Sequence, residues 1–239
     1  MKWLRPSTTR SDVEREAVEE KRAYDATRRR ERASQQRSET RDRVLAAAEE
    51  RFLADGYAGT RMTEIAATAG VSLATVYAAG RSKGELIQQV IQRATAGVPS
   101  DDPLEEPPEF DAAGRPALRH IAAENEPERQ VELIADRISG VLERISPLWA
   151  VLRDAASVDE TAATSLENSL KRRLVSLRAA IGMIPGERLR GDLREATDTL
   201  WALSSPEIYL MLRTSRRWSH ARYRAWLRET LRVQLLTAA

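Results

Sequence analysis

Residues 60–77, TRMTEIAATAGVSLATVY, decide the fold of this chain. Two short helical patterns flank a glycine. Thr60 is positioned to cap the first helix through its hydroxyl, and Ile65, Ala66 and Ala69 recur at three- and four-residue spacing, which gathers a small apolar stripe on one face. Gly70 follows the last apolar position, where glycine takes the left-handed conformation that closes a helix, and Val71 then turns into the core. Ser72 restarts the chain as the cap of a second helix running to about Ala79. In that helix Val76 faces inward, and Leu73, Ala74, Thr75 and Tyr77 lie on the other sides. The pattern is a helix-turn-helix. A second helix covered by small side chains and hydroxyls fits the major groove of B-DNA. An ordinary αα-hairpin would carry the same pattern.

Upstream, Val44, Leu45, Ala48 and Phe52 share one helical face and are expected to pack on Ile65 and Val76. Downstream, a linking helix runs from Gly84 to about Ala96 and is ended by Gly97, Val98 and Pro99.

With VLAAAEERFLADGY before it and SKGEL after it, this block resembles the N-terminal DNA-binding domain of the TetR family of bacterial transcriptional regulators, the match running from Arg43 to about Leu86. Two further segments, ISPLWAVLRDAA (Ile145–Ala156) and LWALSSPEIYLMLRTSRRWSHARYRAWLRETL (Leu200–Leu231), resemble actinobacterial members. The resemblance implies an all-helical homodimer that binds a palindromic operator as a repressor and releases it when a small molecule enters the C-terminal domain. It places Thr60 and Arg61 near the DNA backbone, Ser72, Leu73, Ala74 and Thr75 on the recognition helix, and Tyr77 and Lys83 at phosphates. Lys83 lies at the start of the next helix, where amide dipoles already favour an anion. As alternatives, Lys83 reads as a solvated surface lysine and Tyr77 as a core aromatic. The chain departs from the family pattern twice. Arg61 stands where many members carry threonine, and a cation in a first turn opposes the helix dipole unless an anion compensates it. Gly80 stands where the family usually has an aromatic ring, whose loss removes about 1–3 kcal/mol of burial and is expected to loosen the recognition helix.

Length and composition agree with an all-α fold. The chain has 239 residues, enough for a small and a mid-sized helical domain. Apolar residues recur at helical rather than alternating spacing. The net charge is only +2, but it is segregated. Residues 1–43 hold 13 basic and 9 acidic side chains, whereas residues 98–111 hold six acidic and no basic ones. A basic front end beside a helix-turn-helix suits a polyanion.

Residues 1–39 form a charged extension. Ser11 and Glu14 match a capping box, and no glycine or proline lies between Pro6 and Gly56, so one helix can run from here into the DNA-binding domain, residues 40–97. The cluster Arg28, Arg29, Arg30 and Arg32 is read as a phosphate or minor-groove contact, or else as a solvated arm. Residues 98–116, acidic and proline-rich, read as an interdomain loop.

Residues 117–239 are read as an effector-binding and dimerisation domain with helices at 117–124, 127–145, 147–157, 160–181, 187–204, 206–216 and 219–236. Pro127, Pro147 and Pro206 each suit a first helical turn. The expected dimer interface is a four-helix bundle using Leu193, Ala196, Leu200, Leu203, Trp226, Leu227, Leu231, Leu235 and Leu236. The expected pocket for a small-molecule effector of unknown identity is lined by Trp149, Leu152, Arg153, Met183, Trp201 and Tyr209, with Arg153 meeting an anionic ligand. Both sets also suit a plain core.

No catalytic or metal site and no cofactor is expected. Cysteine is absent, and His120 and His220 are far apart and stand in no metal-ligand or nucleophile spacing. No apolar run reaches membrane-spanning length and no signal-peptide core opens the chain, which together suggest a cytoplasmic protein. The competing reading is a helical dimer acting through protein partners, or binding nucleic acid without sequence choice through its basic arm.

Overall fold

The computed structural model describes residues 10–96 and 119–238, with side chains from residue 28 onward except at 31, 96 and 119. The acidic segment 98–116 and the Ser11–Glu14 pair of side chains lie outside the described residues.

The first helix, α1 (Arg10–Gly59), runs unbroken from the extension into the domain as far as Gly56. There glycine adopts φ 70° and ψ −179°, which breaks the helix before its final residues. Three short helices follow: α2 (Met62–Ala69), α3 (Leu73–Ala79) and α4 (Lys83–Ala96). After α5 (Arg119–Ala122) come α6 (Pro127–Ala156), α7 (Glu160–Ile181), α8 (Leu193–Leu203), α9 (Pro206–Thr214) and α10 (His220–Leu235). The fold is all-α. Asp159, Asp192, Ser205 and Ser219 each accept a backbone N–H at the start of a helix, so polar residues in the connections mark where helices begin.

Three boundaries differ from the sequence expectation. Segments 127–145 and 147–157 are one helix, with Pro147 inside it on an exposed face. Water can serve the carbonyl that the missing amide leaves unbonded, so proline is tolerated there. Only Arg119–Ala122 of the expected 117–124 helix is helical among the described residues. The helix expected from 187 begins at Leu193, because the Asp192–Glu195 capping box starts it there. Ahead of it lie a short 3₁₀ turn (Gly186–Arg188) and Gly191 at φ 81°.

Two apolar clusters hold the chain together. The first joins Val44, Leu45, Ala48, Phe52 and Tyr57 of α1 to Ile65, Val76, Leu86 and Ile87, as the periodicity of α1 predicts. It also takes in Ile145, Leu148, Leu152 and Ala155 of α6 and Ala162 of α7. The second lies between α6, α7, α8, α9 and α10 and is built on Ile134, Ile181, Leu200, Tyr223, Leu227 and Leu231.

Candidate nucleic-acid interface

The turn of the helix-turn-helix forms as the sequence requires. Gly70 closes α2 at φ 63°, its N–H bonding to the carbonyls of Ala66 and Ala67. Ser72 then caps α3, its Oγ accepting from Thr75 N at 3.2 Å and bonding to Thr75 Oγ1 at 2.9 Å. Val76 is fully buried and anchors α3 to the first cluster. Leu73 and Tyr77 are exposed, 38% and 46%, as are Ser72 and Ala74, while Thr75 is half-buried. A large apolar side chain left in water on a seven-residue helix has no packing role in the subunit.

Thr60 does not cap α2, and this corrects the sequence reading. Its hydroxyl donates 2.7 Å to the carbonyl of Gly56, and its own N–H bonds to the same oxygen at 3.3 Å. The left-handed break at Gly56 leaves that carbonyl free, and Thr60, 1% exposed, is consumed in satisfying it. Such a residue cannot reach a phosphate. Arg61 stands at the cap position instead, 78% exposed at its side chain. Glu64 supplies the compensating anion: it accepts from Arg61 N at 3.1 Å and lies 3.7 Å from the guanidinium.

Lys83 is also engaged within the chain. Its ammonium donates 2.7 Å to the carbonyl of Tyr57 and lies 4.5 Å over that residue's ring. Tyr57 in turn donates 2.6 Å to Asp159, whose other oxygen caps α7 by accepting from Ala162 N at 3.0 Å. The hydrogen bond from Tyr57 holds the Asp159 carboxyl below the usual carboxylate range, and burial pushes the Tyr57 phenol up. The end of α1, the start of α4 and the start of α7 are thereby fastened together.

Gly80 is buried, and the space expected to be empty there is filled by Leu86. A Cβ at residue 80 would come 2.8 Å from Leu86 Cδ2 and 2.9 Å from its Cγ. Leu86 of α4 therefore packs against the end of the recognition helix. Gln89 adds a polar tie, its Nε2 donating 2.8 Å to Ala79 O while its Oε1 accepts from Arg41 at 2.8 Å. The sequence reading missed Gln89, Arg41 and the Tyr57–Asp159 pair, because tertiary hydrogen bonds between polar residues leave no periodic signal.

Residues 44–90 match the sequence model of the bacterial regulatory proteins of the tetR family. The match spans the helix-turn-helix and its flanking helices. No curated protein sequence matches it significantly. Among solved structures, it is similar to a protein from Saccharomonospora viridis, described as a transcriptional regulator and solved in complex with choline: TM-score 0.62, 18% identity, covering 84% of this chain and 100% of that one. It is also similar to NalD, the secondary repressor of the MexAB-OprM multidrug efflux pump in Pseudomonas aeruginosa, at TM-score 0.58 and 20% identity over 84% and 99% of the two chains. A third is the regulator FadR from Bacillus subtilis in complex with stearoyl-CoA, at TM-score 0.55 and 15% identity over 79% and 96%. Residues 44–90 therefore carry a helix-turn-helix of the tetR-family DNA-binding type.

The six expected pocket residues are divided between packing clusters and ion pairs. Leu152 sits in the first cluster, whereas Met183, Trp201 and Tyr209 belong to the second. Arg153 and Trp149 both donate to Glu207 Oε1, at 2.9 and 3.0 Å, so Arg153 is already paired. Arg173, which the sequence reading overlooked, is held without a carboxylate at ion-pair distance among the described residues. It stacks 4.1 Å from the Trp201 ring and donates to Trp201 O and Ser204 Oγ, and burial lowers its pKa to about 10. The expected interface residues are packed within the single chain. Ala196, Leu200, Leu227, Leu231, Leu235 and Leu236 are buried within the single chain, and Leu193, Leu203 and Trp226 are packed against them. Those apolar faces of α8 and α10 close the subunit's own core.

Proposed function

We propose that this protein is a ligand-released repressor that reads a palindromic operator as a homodimer. The observation that carries the reading is a recognition helix capped by Ser72, pinned by Val76 and Leu86, and presenting Leu73, Ala74 and Tyr77 to solvent. In this reading Ser72, Leu73, Ala74 and Thr75 meet base edges and nearby phosphates, with Tyr77 and Arg61 at the backbone. Lys83 keeps two further N–H donors for a phosphate beside the one on the Tyr57 carbonyl. Twofold symmetry of the operator follows from two such helices in one dimer. The complexes of similar structures with choline and with stearoyl-CoA support a small-molecule effector.

Selection of bound duplexes from a random pool at physiological salt tests this. The expected result is one enriched palindrome with half-sites about one helical turn apart, each mismatch costing about 1–3 kcal/mol. A pool that stays unenriched would overturn sequence reading.

A further inference from the structure

We infer that the N-terminal part of α1 is a rigid, DNA-backbone-binding helix that lengthens the footprint of each subunit beyond its half-site; this rests on the DNA-binding reading above. The observation is one of register. Arg30, Arg37 and Arg41 are spaced by seven and four residues and continue, by three and four, into Val44 and Ala48. They therefore share the face of α1 that is buried against the rest of the helix-turn-helix domain. Arg41 on that face bonds to Gln89, which bonds to Ala79 at the last turn of the recognition helix. The basic face thus leaves the domain two hydrogen bonds from the end of the helix that would lie in the major groove.

No apolar contact explains why this helix extends so far. Residues 28–43 are exposed except Ala33 and Thr40, which are half-buried, and Glu31, whose side chain is not described. A helix polar on all sides gains nothing from burial and is stabilised by a partner of complementary charge. Residues 28–43 hold seven arginines against three acidic residues, which makes that partner a polyanion. Among the described residues Arg30 and Arg37 have no ion-pair partner. The rise from Arg41 to Arg30 is about 16 Å, so the described arginines reach about five base pairs along a duplex. A helix at that distance contacts phosphates rather than base edges, and adds affinity without changing sequence preference.

The test compares the full chain with its R30A/R37A variant, and with R216A/R217A as a control at the exposed turn before α10. Binding to a labelled duplex of mixed sequence is titrated across a range of salt concentrations. The expected result is a log–log salt slope shallower by about 0.9 for each phosphate that is no longer neutralised, in the R30A/R37A variant only. Helix content by circular dichroism stays unchanged, and hydroxyl-radical protection retreats from the flanks. An unchanged slope with an unchanged footprint overturns the inference. The duplex selection reads the other claim separately: an enriched palindrome with no slope change sinks only the extension, and a slope change with no enriched motif sinks only sequence reading.

Discussion

Replacing Gly80 with alanine sets two effects of opposite sign against each other. Gly80 has φ −159°, an extended conformation open to any residue, so alanine meets no backbone strain. At such a site a glycine-to-alanine change stabilises by about 0.4–1 kcal/mol, because the unfolded chain has less freedom to lose. Against this, the new methyl would lie 2.8 and 2.9 Å from Leu86 Cδ2 and Cγ and 3.3 Å from Leu86 N. Leu86 is fully buried among Ile87, Val76 and Phe52 and has nowhere to retreat. Overpacking of this kind costs about 1–3 kcal/mol. The steric effect wins, and Gly80→Ala is expected to destabilise by about 1–2 kcal/mol, or a fall in Tm of roughly 2–8 °C for a chain of this size. A double-mutant cycle with Leu86→Ala locates the cause. Leu86→Ala alone costs about 2–5 kcal/mol, but in that background the added methyl at residue 80 should fill space and become neutral or stabilising. Thermal unfolding of the four proteins measures this. Equal effects of Gly80→Ala in both backgrounds would refute the packing argument.

Other expectations are read more directly. Thr60→Val keeps the shape of the side chain but leaves the Gly56 carbonyl with only the longer backbone bond from residue 60, and should lower stability by about 0.5–1.5 kcal/mol with no change in the salt dependence of DNA binding; a loss of affinity at unchanged stability would restore Thr60 as a phosphate contact. Tyr77→Phe removes one exposed hydroxyl, and should weaken operator binding about 2–12-fold while leaving Tm unchanged. Asp159 has its folded-state pKa depressed, so its contribution to stability is present above the unfolded-state pKa and is lost as pH falls through the folded value. Asp159→Asn should therefore flatten the acid limb of a stability–pH profile, measured by thermal unfolding; an acid limb as steep as the wild type would remove Asp159 from the account.

The local features of the fold were legible because each is enforced within a few residues. Gly70, Ser72 and Val76 carry their conformations in their chemistry, and α2 and α3 follow from them. Thr60 misled because threonine before an apolar run is a good cap by local rules, and the competing claim on its hydroxyl comes from the left-handed break at Gly56. Gly80 misled for a tertiary reason: the space left by a missing ring was taken by a leucine six residues later. Pro147 read as a helix start because proline suits a first turn, and nothing local reveals that its face of α6 lies in water. The leucines of α8 and α10 read as a dimer interface or as a plain core, because an apolar stripe carries no mark of which surface will cover it. Arg153 and Arg173 are alike in sequence terms, and only Glu207 beside one and Trp201 beneath the other separates them.

The division at residue 97 joins two segments without separating two cores. Ile145, Leu148, Leu152 and Ala155 of α6 and Ala162 of α7 are part of the same buried cluster as Phe52, Val76 and Leu86. Close packing leaves such a cluster few alternative arrangements, so a shift of α6 or α7 must be met by a shift of α4 or α1. Polar contacts follow the same path: Tyr57 to Asp159, Ser165 to Gln88, and the Arg144 guanidinium to the carbonyl of Ala94. Gly84 sets how closely they approach, since a Cβ there would lie 2.9 Å from Thr161 Cβ and 3.0 Å from Ala162 N. The start of α4 therefore packs directly on the start of α7, and through Leu86 and Gln89 the same helix holds the end of the recognition helix. Under the ligand-released reading proposed above, α4 is the element through which a repacking of α6 and α7 would reach α3.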